Sequence, residues 1–149
     1  MSSWSAGDRT RSFLKVQDGC DYHCSYCTVP LARGKSRNPA VSEIVDEAQK
    51  IVASGVMEIV LTGVNVGDFG KSTGENLEKL LDNLMMVNGL RRLRLSSIEP
   101  NLVTDRIIDM ISEGRVLLPH FHMPLQSGND RVLGLMRRRY RREVFRDRV

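Results

Sequence analysis

The chain has 149 residues, of which 41% are hydrophobic and 27% are charged, and its formal net charge at pH 7 is +4. This composition is typical of a folded domain with a core and argues against a disordered chain. No apolar run approaches the roughly 20 residues that cross a bilayer, and residues 1–8 do not resemble a signal peptide, so we expect a cytoplasmic protein without membrane contact.

The amino-terminal part divides into a leader and the start of a domain. Residues 1–10 are expected to be a flexible leader, and residues 11–149 are expected to form one domain. Residues 11–17 predict a first strand, after which Asp18 and Gly19 turn the chain into a loop. That loop contains every cysteine of the chain, namely Cys20, Cys24 and Cys27.

The cysteines have the spacing C-x3-C-x2-C. Thiolates are the ligands that select zinc and iron–sulfur clusters, and both kinds of site usually take four protein ligands. A cluster held by these three cysteines would therefore keep one iron open. The alternative is a non-catalytic zinc module that adds His23 as its fourth ligand, although His23 directly precedes Cys24 and joint coordination would be strained.

The remaining elements are predicted from apolar periodicity and from glycine and proline signals. An exposed connection at residues 31–39 leads into a helix, which ends before Gly55. In chain order, the predictions are a helix at residues 42–54, a buried strand at 57–62, a helical stripe at 77–85, a strand at 92–96, a helix capped by Thr104, a strand at 117–125 and a helix opened by residues 126–129.

This order predicts four strand–helix units with a parallel sheet and right-handed crossovers. Ligands of such sheets bind beyond the carboxyl ends of the strands, where the cysteine loop and residues 62–65, 96–99 and 124–127 lie. A closed barrel of this type needs about eight strands. We therefore expect part of a longer enzyme, truncated at its carboxyl end.

Positive charge is concentrated at that end, because residues 131–149 hold eight arginines and two acidic residues. Arginines on both sides of Tyr140 can contact phosphates while the ring stacks on a base, but such a run is also typical of a solvated helix face. Both interpretations stay open for Arg138, Arg139 and Tyr140. Arg33 and Arg37 are likewise either loop charges or RNA contacts.

The sequence resembles the radical S-adenosylmethionine methylthiotransferases over residues 9–149. The cysteine motif, with Tyr26 before its last cysteine, is similar to the signature of the superfamily. Within the family, the chain is most like the type that modifies threonylcarbamoyladenosine at position 37 of tRNA. The segments that carry this likeness are residues 17–20, 33–37, 61–70, 96–100 and 122–128.

The resemblance implies an α/β fold, part of an incomplete TIM-like (β/α)6 barrel. It also implies that Cys20, Cys24 and Cys27 hold a 4Fe-4S cluster whose open iron binds S-adenosylmethionine. Reductive cleavage would release a 5′-deoxyadenosyl radical, which abstracts hydrogen from an adenine carbon so that a methylthio group can be inserted. The positions implied to face the cofactor are Tyr26, Gly63, Asn65, Ser96, Glu99 and Gln126.

The implied partners are the tRNA anticodon loop and an electron donor such as a flavodoxin or ferredoxin, and we expect a monomer. The resemblance further implies an auxiliary 4Fe-4S cluster in an amino-terminal domain and an RNA-binding carboxy-terminal domain of the full-length protein. The nearest alternative enzyme is a methylthiotransferase that acts on a ribosomal-protein side chain.

Overall fold

The computed structural model describes residues 3–5 and 10–149. Two short 3-10 helices, Val66–Asp68 and Pro100–Leu102, lie in loops. The regular elements are β1 (Ser3–Trp4), β2 (Ser12–Lys15), α1 (Val29–Arg33), α2 (Val41–Ala53), β3 (Glu58–Thr62), α3 (Leu77–Met85), β4 (Arg92–Leu95), α4 (Asp105–Ser112), α5 (Asp130–Leu135) and α6 (Arg142–Asp147).

The strands form one sheet in the order β1-β2-β3-β4. Strands β2, β3 and β4 are parallel, with Phe13 opposite Val60 and Val60 opposite Arg94. Helices connect these parallel neighbours, which confirms the predicted α/β class. Strand β1 pairs antiparallel with β2 and lies within the leader that was predicted to be flexible. Residues 1–2 and 6–9 of that leader lie outside the described residues.

The prediction of a regular strand at residues 117–125 is wrong. Two isolated parallel bridges take its place, one between Leu93 and Leu117 and one between Ser97 and His122. Pro119 and Pro124 lack a backbone N–H and interrupt a ladder of hydrogen bonds at this position. The segment nevertheless lies beside β4, which is the neighbour that the predicted strand order gave it.

The predicted helices at residues 42–54 and 77–85 correspond to α2 and α3. Thr104 caps α4 as predicted, because its side chain accepts a hydrogen bond from the backbone N–H of Ile107. Helix α1 was not predicted, since residues 31–39 were interpreted as irregular connection. The sequence feature that indicates α1 is Pro30 in the first turn, where the N–H groups have no partner within the helix and a missing one removes no hydrogen bond.

The core lies between the sheet and helices α2, α3 and α4. It is a single cluster of buried aliphatic side chains, and fully burying one such side chain contributes about 1.5–3 kcal/mol. This packing fixes the carboxyl ends of β2, β3 and β4 relative to one another. The fully buried members include Leu14, Ile44, Ile51, Ile59, Leu61, Leu80, Leu84, Leu93 and Ile107.

No helix in residues 3–5 and 10–149 is long and apolar enough to span a membrane.

Candidate active site at the carboxyl ends of the strands

Gln17 organises the edge where the parallel strands end. Its side chain is buried, and its Oε1 accepts hydrogen bonds from the backbone N–H groups of Val64 at 2.9 Å and Asn65 at 3.0 Å. Its Nε2 donates to the carbonyl of Gly19 at 2.7 Å and to Ser36 Oγ at 2.9 Å. One amide therefore joins the cysteine loop to the loop that follows β3. Gln17 was absent from the site residues predicted from the sequence.

The close approach of Gln17 explains the glycine at position 63. A Cβ added to Gly63 would lie 2.8 Å from Gln17 Oε1 and 3.0 Å from Gln17 Cβ. Both separations are shorter than a van der Waals contact, so a side chain here would displace the amide. Gly63 thus serves the packing of the loop, whether or not it also faces a cofactor.

The loops after β3 and β4 are also joined to each other. Asn65 is buried, and its Oδ1 accepts a hydrogen bond from the backbone N–H of Glu99 at 3.3 Å. Backbone hydrogen bonds run from Val66 to Ser97 at 2.9 Å and from Ile98 to His122 at 3.1 Å. The segments that follow β2, β3 and β4, together with the segment around His122, therefore meet at one edge of the sheet.

The cysteine loop is anchored to residues 34–37. Cys20 donates its backbone N–H to Gly34 at 3.0 Å, and Asp18 and Arg37 exchange backbone hydrogen bonds at 3.0 and 2.9 Å. Asp21 Oδ1 accepts a hydrogen bond from the backbone N–H of Ser36 at 3.1 Å. These bonds attach the first half of the cysteine loop to residues 34–37.

All three cysteines carry free thiols, Cys24 buried and Cys20 and Cys27 partly buried. Burial raises the pKa of the Cys20 thiol, the hydrogen bond from the backbone N–H of Tyr22 opposes that shift, and the charges of Asp68, Cys24 and Cys27 raise the pKa further. Among the described residues, no three Cys, His, Asp or Glu side chains converge on a single ion. Thiolates are the protein ligands of iron–sulfur clusters, and three of them in one loop fit a 4Fe-4S cluster that keeps one iron without a cysteine.

For Arg138, an RNA contact and a solvated helix face both stayed open, and the structure places its side chain inside the site. Its side chain is 4% exposed and forms an ion pair with Glu99. The same guanidinium donates hydrogen bonds of 3.1 Å to Cys24 Sγ and to the hydroxyl of Tyr26. Burial raises the pKa of Glu99, and the hydrogen bond and charge of Arg138 oppose that shift.

Tyr140, for which base stacking and a solvated helix face both stayed open, also lies inside the protein. It is buried, and its hydroxyl donates to the carbonyl of Pro124 at 2.6 Å. The guanidinium of Arg138 lies 5.2 Å from the centroid of its ring. Because the ring packs inside the protein, neither Tyr140 nor Arg138 lies on the solvated surface that both interpretations of the sequence assumed.

The other three arginines of that prediction remain exposed. Arg33 and Arg37 contact Asp18 at 3.0 and 2.6 Å, and Lys15 contacts the same carboxylate at 3.0 Å. Burial tends to raise the pKa of Asp18, but the hydrogen bonds and charges of its basic neighbours hold it well below its usual value. Arg139 lies 4.1 Å from the centroid of the Tyr22 ring. Three cations around one carboxylate leave a positive surface beside the site.

Four buried polar atoms have no hydrogen-bond partner among the described residues: Asn65 Nδ2, Asp68 Oδ2, Ser96 Oγ and Arg138 Nε. Buried polar groups are normally satisfied, so such atoms at one edge of a sheet indicate a ligand that satisfies them. Gln126 is different, since its side chain is exposed and makes no hydrogen bond in the described part of the chain. Its backbone has a φ of 59°, in the left-handed region.

Several curated proteins with similar sequences are named methylthiotransferases. The threonylcarbamoyladenosine tRNA methylthiotransferase MtaB of Bacillus subtilis is 42% identical over 144 residues, which are 95% of this chain and 32% of the relative. The enzyme of the same name from Thermotoga maritima is 44% identical over 139 residues, 93% of this chain and 32% of the relative. The chain thus spans about a third of the length of these relatives.

A tRNA-2-methylthio-N(6)-dimethylallyladenosine synthase from Agrobacterium fabrum is 43% identical over 138 residues, 90% of this chain and 30% of the relative. A similar solved structure is the radical S-adenosylmethionine methyltransferase TsrM of Kitasatospora setae, with cobalamin and a [4Fe-4S] cluster bound. It covers 89% of this chain and 27% of its own, with 18% identity and a TM-score of 0.70. This likeness concerns the fold.

The family model described as the Radical SAM superfamily matches residues 14–149. That range contains the three cysteines and every loop of the site, and membership implies S-adenosylmethionine and a 4Fe-4S cluster as cofactors. The chain belongs to the Radical SAM superfamily.

Proposed function

We propose that this chain is the S-adenosylmethionine-binding core of a tRNA methylthiotransferase that acts on threonylcarbamoyladenosine. The observation that carries the proposal is that three free thiols follow β2 while the buried, unpartnered Asn65 Nδ2 and Ser96 Oγ follow β3 and β4, at the same ends of the parallel strands. Thiolates suit iron, and the unpartnered polar atoms suit a ligand rich in oxygen and nitrogen. The names of the similar proteins supply the reaction.

In this proposal Cys20, Cys24 and Cys27 hold the cluster. When bound, the cluster supplies the electron that cleaves the sulfonium of S-adenosylmethionine. Asn65 donates its free N–H to an acceptor of the cofactor, and Ser96 Oγ binds a second polar group of it. Tyr26, which is half exposed, and the Glu99 carboxylate border the same space. The role of Gln126 requires its exposed side chain to turn toward the cofactor.

An unpaired anticodon-loop adenine is a suitable substrate, because it enters a pocket at a low unstacking cost. The exposed cations Arg33, Arg37 and Arg139 are the proposed contacts for the tRNA backbone, since phosphate contacts supply much of the affinity for nucleic acids. An auxiliary cluster that supplies sulfur and a flavodoxin or ferredoxin as electron donor complete the proposal. The protein acts in the cytoplasm, where thiols stay reduced.

Anaerobic reconstitution with iron and sulfide tests the cluster. We expect about four irons per chain in the unmodified protein, because the site is a cubane cluster with three thiolate ligands. Cys24→Ala should lose the cluster and its visible absorption. Ser25→Ala is the matched control, since Ser25 is exposed in the same loop and should keep the iron. Dithionite-reduced protein should then cleave S-adenosylmethionine to 5′-deoxyadenosine. Stoichiometric zinc without cleavage would show a non-catalytic module instead.

Analysis of modified nucleosides tests the substrate. In a strain without the gene, tRNA should lose the methylthio group on threonylcarbamoyladenosine and keep the unmethylthiolated nucleoside. The full-length gene should restore the modification, and a version carrying Cys24→Ala should fail to do so. An unchanged tRNA profile, together with loss of a methylthio group from a ribosomal protein, would identify the alternative substrate and refute tRNA as the target.

A further inference from the structure

Residues 136–139, named here the clamp, contact the cysteine loop at several points. The carbonyl of Met136 accepts a hydrogen bond from the backbone N–H of Ser25 at 3.3 Å. Arg138 reaches Cys24 Sγ at 3.1 Å, and Arg139 donates to the carbonyl of Asp21 at 2.8 Å. Between them, Arg137 has a left-handed φ of 57°, which turns the chain after α5. The clamp therefore contacts the loop through Met136, Arg138 and Arg139, while Arg137 is exposed.

Arg138 is the member of the clamp that touches a cluster ligand. Its side chain is buried, and its hydrogen bond to Cys24 Sγ brings a positive charge to that sulfur. Guanidinium groups stay protonated in proteins, so this charge is permanent. Glu99 pairs with Arg138 and supplies the opposite charge in the same space. The site thus contains a cation that contacts the sulfur and an anion that contacts the cation.

We propose that Arg138 raises the reduction potential of the cluster that Cys24 helps to hold, and that Glu99 limits this effect as its counter-charge. The proposal rests on the cluster assigned under the proposed function. It concerns this chain's own residues, since a cation that hydrogen-bonds a ligand sulfur is one of the means by which proteins tune iron–sulfur clusters. Arg138 thereby determines how readily the electron arrives for S-adenosylmethionine cleavage.

The sign follows from electrostatics. One electron passes from an external reductant such as dithionite to the cluster, which gains one negative charge while the reductant is oxidised. A cation near the sulfur stabilises the reduced cluster more than the oxidised one, and an anion does the reverse. The interaction is strong here because the pair is shielded from water. Removal of the cation and removal of the anion should therefore shift the potential in opposite directions.

Redox titration of the reconstituted chain without S-adenosylmethionine, read by visible absorption and by the electron paramagnetic resonance signal of the reduced cluster, measures this effect. Arg138→Gln should lower the equilibrium constant for reduction about tenfold, which is about 59 mV for one electron. Glu99→Gln should raise it. Arg138→Lys keeps the charge and should shift it less than Arg138→Gln. Arg137→Gln is the matched control, because it removes the same charge from an exposed neighbour and should leave the potential unchanged.

The outcomes separate this inference from the proposed function. Absence of a cluster in the unmodified chain overturns both. A cluster whose potential is the same in all variants, or one that Arg138→Gln and Glu99→Gln shift in the same direction, overturns the tuning role alone. If Arg138→Gln cannot hold iron, Glu99→Gln and Arg138→Lys decide, and an unchanged potential in Glu99→Gln refutes the proposal.

Discussion

Replacing Gly19 with alanine is expected to destabilise the chain by about 4 kcal/mol or more and to abolish iron binding. Gly19 has a φ of 72°, and a Cβ at this position would lie 2.1 Å from the carbonyl oxygen of Lys35 and 2.7 Å from that of Gly34. Both atoms belong to the backbone, so no side chain can rotate to make room. The backbone hydrogen bond from Cys20 to Gly34, which anchors the cysteine loop, would have to break.

Gly74→Ala is the matched control for this substitution. Gly74 has a similar φ of 74°, but a Cβ there would meet no atom within 4 Å. It should therefore cost only the strain of a positive φ, about 1–2 kcal/mol, and should keep its iron. Urea unfolding gives both free energies of unfolding, and iron counting after reconstitution gives cluster occupancy. Equal losses of stability in the two variants would show that backbone strain, and not the collision at Gly19, is the cause.

Local patterns were sufficient to predict the parallel part of the fold. The strand Glu58–Thr62 and the helix Leu77–Met85 bury most of the predicted residues, although Met57 is exposed and Met85 is only partly buried. The apolar pattern predicts both elements because the side chains that pack against the core recur at regular positions in the sequence. The segment at residues 117–125 resembled a strand by composition, but its prolines and its position at the sheet edge reduce the pairing to isolated bridges.

The candidate site was predictable only where its signal is local. Cys20, Cys24 and Cys27 lie within eight residues, so their spacing alone indicated a metal centre. Gln17 gives no such signal, because its partners Val64 and Asn65 lie 47 and 48 residues further along the chain. Arg138 is 114 residues from Cys24, and a run of arginines favours a surface interpretation until the tertiary contact is seen. The places of Gln17 and Arg138 in the site depend on contacts between residues far apart in the chain, and a single sequence does not record such contacts.

The substitution Gln17→Leu is therefore expected to lower the free energy of unfolding by about 3 kcal/mol or more. Leucine is similar in size but leaves the N–H groups of Val64 and Asn65, the carbonyl of Gly19 and the hydroxyl of Ser36 without this partner. Each buried group left unpaired costs about 1–3 kcal/mol. Gln49→Leu on the exposed side of α2 is the control and should change stability by about 0.5 kcal/mol or less.

Gln17→Glu adds a test that depends on pH. The new carboxylate still accepts from Val64 and Asn65, but its other oxygen faces the Gly19 carbonyl, which lies 2.7 Å from the Gln17 Nε2 donor in the unmodified chain. Only the protonated acid restores that donor, so folding raises the pKa of the introduced carboxyl group above the roughly 4.3 of an unfolded glutamate. The folded state then binds more protons, and stability relative to the unmodified chain falls as pH rises through this interval. Urea unfolding at about pH 5 and about pH 7 should therefore show a smaller deficit at the lower pH, whereas a deficit independent of pH would mean that Gln17 acts only by filling space.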